Sequence, residues 1–229
     1  MVGYSAAGAE TQQPYSLRNL KGLIVLDVGV KLAKEADRAF YCNALATDQA
    51  TLNSGVYSDD SAPTDPSDMI PGMTNYQAAL FLGTSTEFVN GQFWHFVGGD
   101  LDENGIPSDL RYSQAQLWLD LLQNMPPHYP EREDVEADSL FCGQTDSPVT
   151  EYLGQIGVPI LHVAAAGGFA NNGPYTATFT KSKDVKTVMV QRLADDQRQQ
   201  DFGHADTVLA NDADTAVWKP ILDWIVAHP

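Results

Sequence analysis

The chain begins Met1-Val2-Gly3-Tyr4-Ser5-Ala6-Ala7-Gly8, and the interpretation of the rest of the sequence depends on this stretch. Two very small residues, Gly3 and Ala7, stand two positions to either side of Ser5. Such a pattern is typical of a nucleophile elbow, a strained turn from strand to helix in which larger neighbours would clash with the serine backbone. A loose N-terminal segment rich in small residues is the alternative interpretation.

The composition limits the classes of function. At 229 residues the chain is long enough to bury a sizeable core. It carries 30 acidic and 13 basic side chains, a net charge of −17, which argues against binding to nucleic acid or to an anionic membrane. No apolar run approaches the length of a membrane span, so we predict no transmembrane segment.

Two cysteines, Cys42 and Cys142, stand far apart in the chain. Neither has a second Cys or a His at the spacing of a metal site, so we predict no bound metal. The sequence leaves two alternatives open, a disulfide across the middle of the chain or two buried thiols. A disulfide would favour a secreted or periplasmic location, because such bonds persist in oxidising compartments.

Buried strands are predicted on both sides of a long central region. Residues 22–26 form a continuous apolar run that ends at Asp27, and similar runs cover residues 158–165 and 185–190. Runs of this kind are typical of strands buried on both faces of a parallel sheet. An apolar helix over about 213–227 closes the chain. This alternation of buried strands with helices predicts an α/β protein with a mostly parallel sheet flanked by helices.

The central region, residues 31–155, lacks this regular alternation. We interpret it as a largely helical cap inserted between two parts of one core, residues 1–30 and 156–229. Within it, residues 114–123 have the pattern of an amphipathic helix, with Ser113 as a plausible N-cap.

Three candidate catalytic residues follow one another along the chain. They are Ser5 on the predicted turn, Asp27 after the next strand and His204 before the last helix. This order resembles the α/β-hydrolase superfamily, in which the catalytic residues run serine, acid, histidine. The resemblance implies that Ser5 is the nucleophile and His204 its general base. It also implies that the amide of Ala6 contributes to the oxyanion hole.

The acid of this resemblance has two candidates. Many members carry it after the strand that corresponds to residues 158–165, but residues 167–173 contain no carboxylate here. Asp27 instead resembles the arrangement of pancreatic-type lipases, whose acid follows the strand next to the nucleophile strand, and we favour it. Asp201 is the alternative.

The resemblance implies cleavage of an ester or related acyl bond through an acyl-enzyme, without a cofactor. Aromatic residues form a candidate substrate pocket, namely Tyr4, Phe93, Trp94 and Trp118. The aromatic residues of the cap could equally form the cap's own core. A hydrolase-like domain without catalysis, which uses its cleft for binding, is the alternative function.

The resemblance also implies that about five strands precede the elbow, whereas this chain begins at it. We therefore expect the N-terminal strands to be absent from a truncated form, and the isolated chain to have weak esterase activity or none. The open sheet edge would be a surface for self-association.

A further motif, Asp100-x-Asp102-x-Asn104-Gly105, matches the opening of a calcium-binding EF-hand loop. The twelfth position is Arg111 rather than Glu, and no helix clearly precedes the motif. We therefore predict a polar hairpin turn instead of a calcium site.

Overall fold

A computed structural model describes residues 20–33, 35–54, 73–84, 87–89, 92–124, 131–143, 150 and 152–229. The predicted elbow, with Tyr4, Ser5 and Ala6, lies outside the described residues. All statements below concern the described part of the chain.

Helices and strands alternate at both ends of this part, and two small hairpins lie between them. In chain order the elements are β1 (Leu23–Leu26), α1 (Glu35–Ser54), α2 (Asn75–Thr84), β2 (Glu87–Val89), β3 (Gln92–Trp94), β4 (Gly99–Leu101), β5 (Pro107–Leu110), α3 (Ala115–Asn124), α4 (Glu131–Cys142), β6 (Ile160–Ala165), α5 (Asn172–Ala177), β7 (Val185–Val190), α6 (Asp206–Leu209) and α7 (Lys219–Ala227). Short 3₁₀ segments cover Leu153–Gln155 and Asp195–Gln200, and a π-helical turn covers Asp214–Trp218.

The three apolar runs of the sequence form one parallel sheet, in the order β1-β6-β7 within the described residues. Leu26 lies opposite Val163, and Val163 lies opposite Val188, so the three strands end close to the same edge. The prediction of an α/β protein with a parallel sheet flanked by helices is confirmed. All six residues of β6 are buried, as expected of a central strand covered on both faces.

The main core lies between the sheet and the C-terminal helix. Alternate residues of β6, Leu161 and Val163, face Val217, Ile221 and Trp224 on the π-helical turn and α7. Alternation places successive side chains on opposite faces of a strand, which explains why these two point the same way. Helix α7 begins at Lys219 and carries its proline in the first turn, where the missing N–H costs no hydrogen bond.

A second core belongs to the central region. Ala79 and Leu80 of α2 pack with Val97, Leu110 of β5 and Trp118 of α3. The indole N–H of Trp118 donates to the carbonyl of Ala79 at 2.7 Å, so this large side chain is both buried and satisfied. Ala205, which follows the predicted catalytic histidine, is also part of this second core.

The helix predicted over 114–123 is present as α3, but Ser113 does not cap it. The Ser113 hydroxyl donates to the carboxylate of Asp206 instead. The helix ends at Asn124, two residues before Pro126, as the proline predicts.

Cys42 of α1 and Cys142 of α4 form a disulfide, with their Cα atoms 4.7 Å apart. The sequence leaves open a disulfide or two buried thiols, and the structure has the disulfide. Beside it, the rings of Tyr41 and Phe141 lie 4.9 Å apart, which adds an apolar contact between the same two helices. No helix in the described ranges has the length and apolar character that crossing a membrane requires.

The disulfide closes a loop across 100 positions. We expect the Cys42→Ser, Cys142→Ser double variant to lose stability, by up to about 4 to 5 kcal/mol, because the open chain gains unfolded-state entropy. Urea unfolding with and without reductant measures the difference. Titration of two free thiols in the unreduced, unfolded protein would contradict the bond.

Candidate active site at the carboxyl edge of the sheet

The carboxyl ends of the three parallel strands bring distant segments of the chain together. Asp27 follows β1 directly, residues 166–170 form the loop after β6, and His204 lies in the segment after β7. This is the edge at which open α/β sheets usually bind ligands. The candidate site is built from these three segments.

Asp27 is fully buried, and its carboxylate is surrounded by hydrogen-bond donors. The amides of Ala165 and Ala170 donate to Oδ1 at 2.8 and 3.2 Å, and the amide of Phe169 donates to Oδ2 at 3.0 Å. A buried carboxylate without such partners would cost several kcal/mol, roughly the desolvation penalty of one ion. The loop after β6 therefore holds the Asp27 charge in place.

Two residues without the freedom of glycine adopt a positive φ at this position. Asp27 has φ 41° and Ala170 has φ 44°. A left-handed backbone at such residues costs on the order of 1 to 3 kcal/mol and is retained where the surroundings impose it. A hydrogen bond from the amide of Ala170 to the carboxylate of Asp27 joins these two strained residues.

The imidazole of His204 contacts Asp27 across 177 positions of sequence. Its Nδ1 lies 3.1 Å from the carboxylate Oδ2 and 3.1 Å from the backbone oxygen of Asp27. Both partners are acceptors, so Nδ1 is the hydrogen-bond donor to Asp27. The side chain of His204 is 21% exposed, which leaves the ring accessible from one side.

The alternative acid, Asp201, serves a different set of donors. Its carboxylate accepts the amides of Arg192 and Leu193, at 2.9 and 3.2 Å, and the amide of Phe202 at 2.7 Å. None of the described hydrogen bonds joins it to His204. Asp201 therefore fixes the segment that leads to the histidine, while Asp27 contacts the imidazole.

Three aromatic rings surround His204. The ring of Phe169 lies 5.3 Å from the imidazole, that of Phe96 6.3 Å and that of Trp94 6.5 Å. Trp94 stacks on Phe169 at 4.7 Å and meets Phe96 edge to face at 4.9 Å. These three residues, which we call the aromatic wall, give the exposed side of the histidine an apolar surface.

The predicted pocket residues have different positions. Trp94 belongs to the aromatic wall, whereas Trp118 is 2% exposed and lies in the second core behind Phe96. Phe93 is part of β3, and Tyr4 is outside the described residues. Phe169 is the one aromatic residue in the small-residue loop after β6, and this position is the signal in the sequence that marks it.

Two other histidines are buried without contact to Asp27's carboxylate. His162 in β6 donates from Nε2 to the carbonyl of Val28 at 3.0 Å, and burial lowers the pKa of its imidazole. His95 lies 3.3 Å from the carbonyl of Arg198, and burial lowers its pKa in the same way. Both rings are therefore neutral structural groups at pH 7.

A buried acid that the sequence did not predict, Asp206, lies two residues after His204. Asp206 is fully buried and accepts the amide of Gly98 at 2.7 Å, the amide of Gly203 at 2.8 Å and the hydroxyl of Ser113. Burial raises the pKa of its carboxyl to about 6. No local pattern marks Asp206, because its partners come from distant segments.

The EF-hand-like motif forms a polar hairpin turn between β4 and β5, as predicted. The Asp102 carboxylate accepts the amides of Asn104 and Ile106, at 2.8 and 2.9 Å, and Asp100 pairs with Arg111. The acidic side chains are therefore used within the turn. Among the described residues no group of three His, Cys, Asp or Glu side chains could hold a metal ion.

A methyl group at Gly168 would lie 2.0 Å from the Asp27 carboxylate. We expect Gly168→Ala to displace this carboxylate and to destabilise the protein by about 1 to 3 kcal/mol, as overpacking does. Gly157→Ala is the matched control, because nothing lies within 4 Å of its added methyl. Equal unfolding midpoints in urea for the two variants would contradict the tight packing around Asp27.

The raised pKa of Asp206 predicts a pH dependence. The folded protein binds this proton more tightly than the unfolded chain, whose ordinary value is 3.8, so the stabilisation is complete below 3.8 and is lost as pH rises through 6. Asp206→Asn does not titrate. We therefore expect its unfolding free energy, relative to wild type, to increase by about 2 kcal/mol between pH 4 and 8.

Urea unfolding at several pH values measures this difference, and His95 and His162 cancel because both proteins contain them. A difference that does not change with pH would contradict the raised pKa.

Comparison with known proteins adds nothing to this geometry. A search of protein-family models and of curated proteins found no match to the chain. The functional conclusion therefore rests on the residues and contacts of the candidate site.

Proposed function

We propose that the protein is a serine hydrolase of the α/β-hydrolase type that cleaves an ester or related acyl bond. The observation that carries the proposal is the contact between Asp27 and His204, two residues that lie far apart in the sequence and meet at the carboxyl edge of a parallel sheet. The sequence predicts an elbow at Ser5, before β1, and we propose Ser5 as the nucleophile. Asp27, His204 and Ser5 would together form the triad.

In the proposed reaction, Nε2 of His204 removes the proton from the Ser5 hydroxyl as its oxygen attacks the acyl carbon. The same imidazolium then protonates the leaving alcohol, which departs as the acyl-enzyme forms. Water, deprotonated by Nε2, attacks the acyl carbon; the bond to the Ser5 oxygen then breaks, the acid is released, and the imidazolium returns the proton to Ser5. The amide of Ala6 is proposed as one donor to the oxyanion.

Asp27 would act by orientation and charge, without itself accepting the proton. Its carboxylate accepts from Nδ1, so the basic nitrogen faces away from the acid. The three backbone amides around the carboxylate keep it fixed while the imidazole becomes charged. Catalysis of this kind depends on a charge that is already in place before the reaction.

The aromatic wall supports an apolar group on the substrate. Trp94, Phe96 and Phe169 contact one another beside His204, and Phe96 is 37% exposed. Large flat side chains of this kind favour an aryl or alkyl group of an ester over a charged one. We propose that residues 31–155, which carry Trp94 and Phe96, act as the cap that forms this side of the site.

The disulfide supports a secreted or periplasmic location for the proposed enzyme. Thiols in the cytosol are kept reduced in most organisms, whereas Cys42 and Cys142 are paired here.

Labelling with a fluorophosphonate probe tests the proposal, because the probe reacts with an activated serine and does not require turnover. We expect the purified protein to be labelled on Ser5 slowly, in keeping with the weak esterase activity expected of this chain, and Ser5→Ala and His204→Ala to lose the label. Asp27→Asn should slow labelling by about 10³- to 10⁴-fold, since the imidazole loses its orientation and its stabilising charge. Hydrolysis of p-nitrophenyl esters of increasing chain length is the second readout.

Asp201→Asn is the matched control, because it also neutralises a fully buried carboxylate near His204. We expect it to keep the labelling rate within about tenfold of wild type, since its partners, three backbone amides and the Tyr112 hydroxyl, lie outside the triad. A folded wild-type protein that is not labelled, yet binds apolar ligands, would favour the alternative of a hydrolase-like binding domain.

A further inference from the structure

The carboxylate of Asp206 joins three separate segments of the chain next to His204. Its Oδ2 accepts the amide of Gly203, just before the histidine, and the amide of Gly98, which precedes β4. Its Oδ1 accepts the hydroxyl of Ser113, which lies 93 positions away in sequence. Every one of these donors is buried with it, so a lost bond would not be replaced by water.

The backbone around His204 is joined to the same part of the central region. The amide of His204 donates to the carbonyl of His95 at 2.9 Å, and the amide of Ala205 donates to the carbonyl of Phe96 at 2.6 Å. Gly203 allows this approach, since a methyl group there would lie 2.6 Å from the Phe96 oxygen. The histidine is thus held by residues of the proposed cap as well as by the sheet.

None of the described hydrogen bonds of Asp206 involves the imidazole of His204 or Asp27. Its effect on the ring therefore passes through the Gly203 amide and the contact with Gly98. Asp201 fixes the start of this segment at Arg192 and Leu193, whereas Asp206 fixes its end. Asp201 therefore fixes the chain before His204, and Asp206 fixes the chain after it.

We propose that Asp206, together with Ser113, is a positioning residue for His204, which holds the imidazole at hydrogen-bond distance from the Asp27 carboxylate. The inference deepens the proposed function and rests on it. A misplacement of about 1 Å at a catalytic group can cost on the order of 10²-fold in rate, so the carboxylate affects the rate without contacting substrate.

Three variants test the proposal by ester hydrolysis and by the rate of fluorophosphonate labelling. We expect Asp206→Ala to lower kcat by about 10²-fold with little change in KM, because the bound substrate does not contact Asp206. Ser113→Ala removes one of the three bonds and should lower kcat severalfold. Asp206→Asn keeps an acceptor for both amides and a polar contact for Ser113, so it should restore kcat to within a fewfold of wild type.

Ile221→Ala is the control for lost stability, because this side chain is buried in the main core, in α7. We expect it to lower the unfolding midpoint while kcat stays near that of wild type. If Asp206→Ala does not fold, Ser113→Ala and Asp206→Asn still test the proposal. The first should lower kcat severalfold, and the second should keep kcat within a fewfold of wild type.

The proposal is overturned by wild-type kcat in folded Asp206→Ala or in Ser113→Ala. It is also overturned when Asp206→Asn is as slow as Asp206→Ala, because charge rather than position would then be responsible. The failure of the proposed function is a separate result, in which wild type and Ser5→Ala behave alike in both assays.

Discussion

The structure depends on one buried negative charge, the carboxylate of Asp27. A charge removed from water must be matched by donors, and here three backbone amides and one imidazole supply them. This requirement explains the course of the loop after β6, including the positive φ of Ala170 and the absence of a side chain at Gly168. The loop follows the path that brings its amides to the carboxylate.

The same site joins the two cores of the described residues. The segment 95–98 lies between the loop after β6 and the segment that carries His204, with backbone hydrogen bonds to both. Ala205 packs in the second core, while Phe202, three residues earlier, packs in the main core. A residue between these two points is constrained by both cores, which is how a short and irregular segment can hold an imidazole in a fixed place.

The surroundings of His204 are suited to the proposed acyl transfer. The aromatic wall gives one side of the ring an apolar surface, and low local polarity strengthens the interaction between the imidazole and the Asp27 carboxylate. The proposed nucleophile and the proposed oxyanion donor would complete the arrangement at the open side of the ring. The charge of Asp27, the oriented imidazole of His204 and the apolar surface of the aromatic wall therefore lie within one small region.

The sequence by itself determined the strands, because a strand buried on both faces must be continuously apolar, and it determined that Asp27 and His204 follow such strands. Only the tertiary structure decided which acid meets the histidine, that Cys42 and Cys142 pair, and that Ser113 bonds to Asp206 instead of capping α3. Burial patterns are local and can be read along the chain. The partner of a buried polar group depends on which distant segments the folded backbone brings within hydrogen-bond distance, and no local pattern records that.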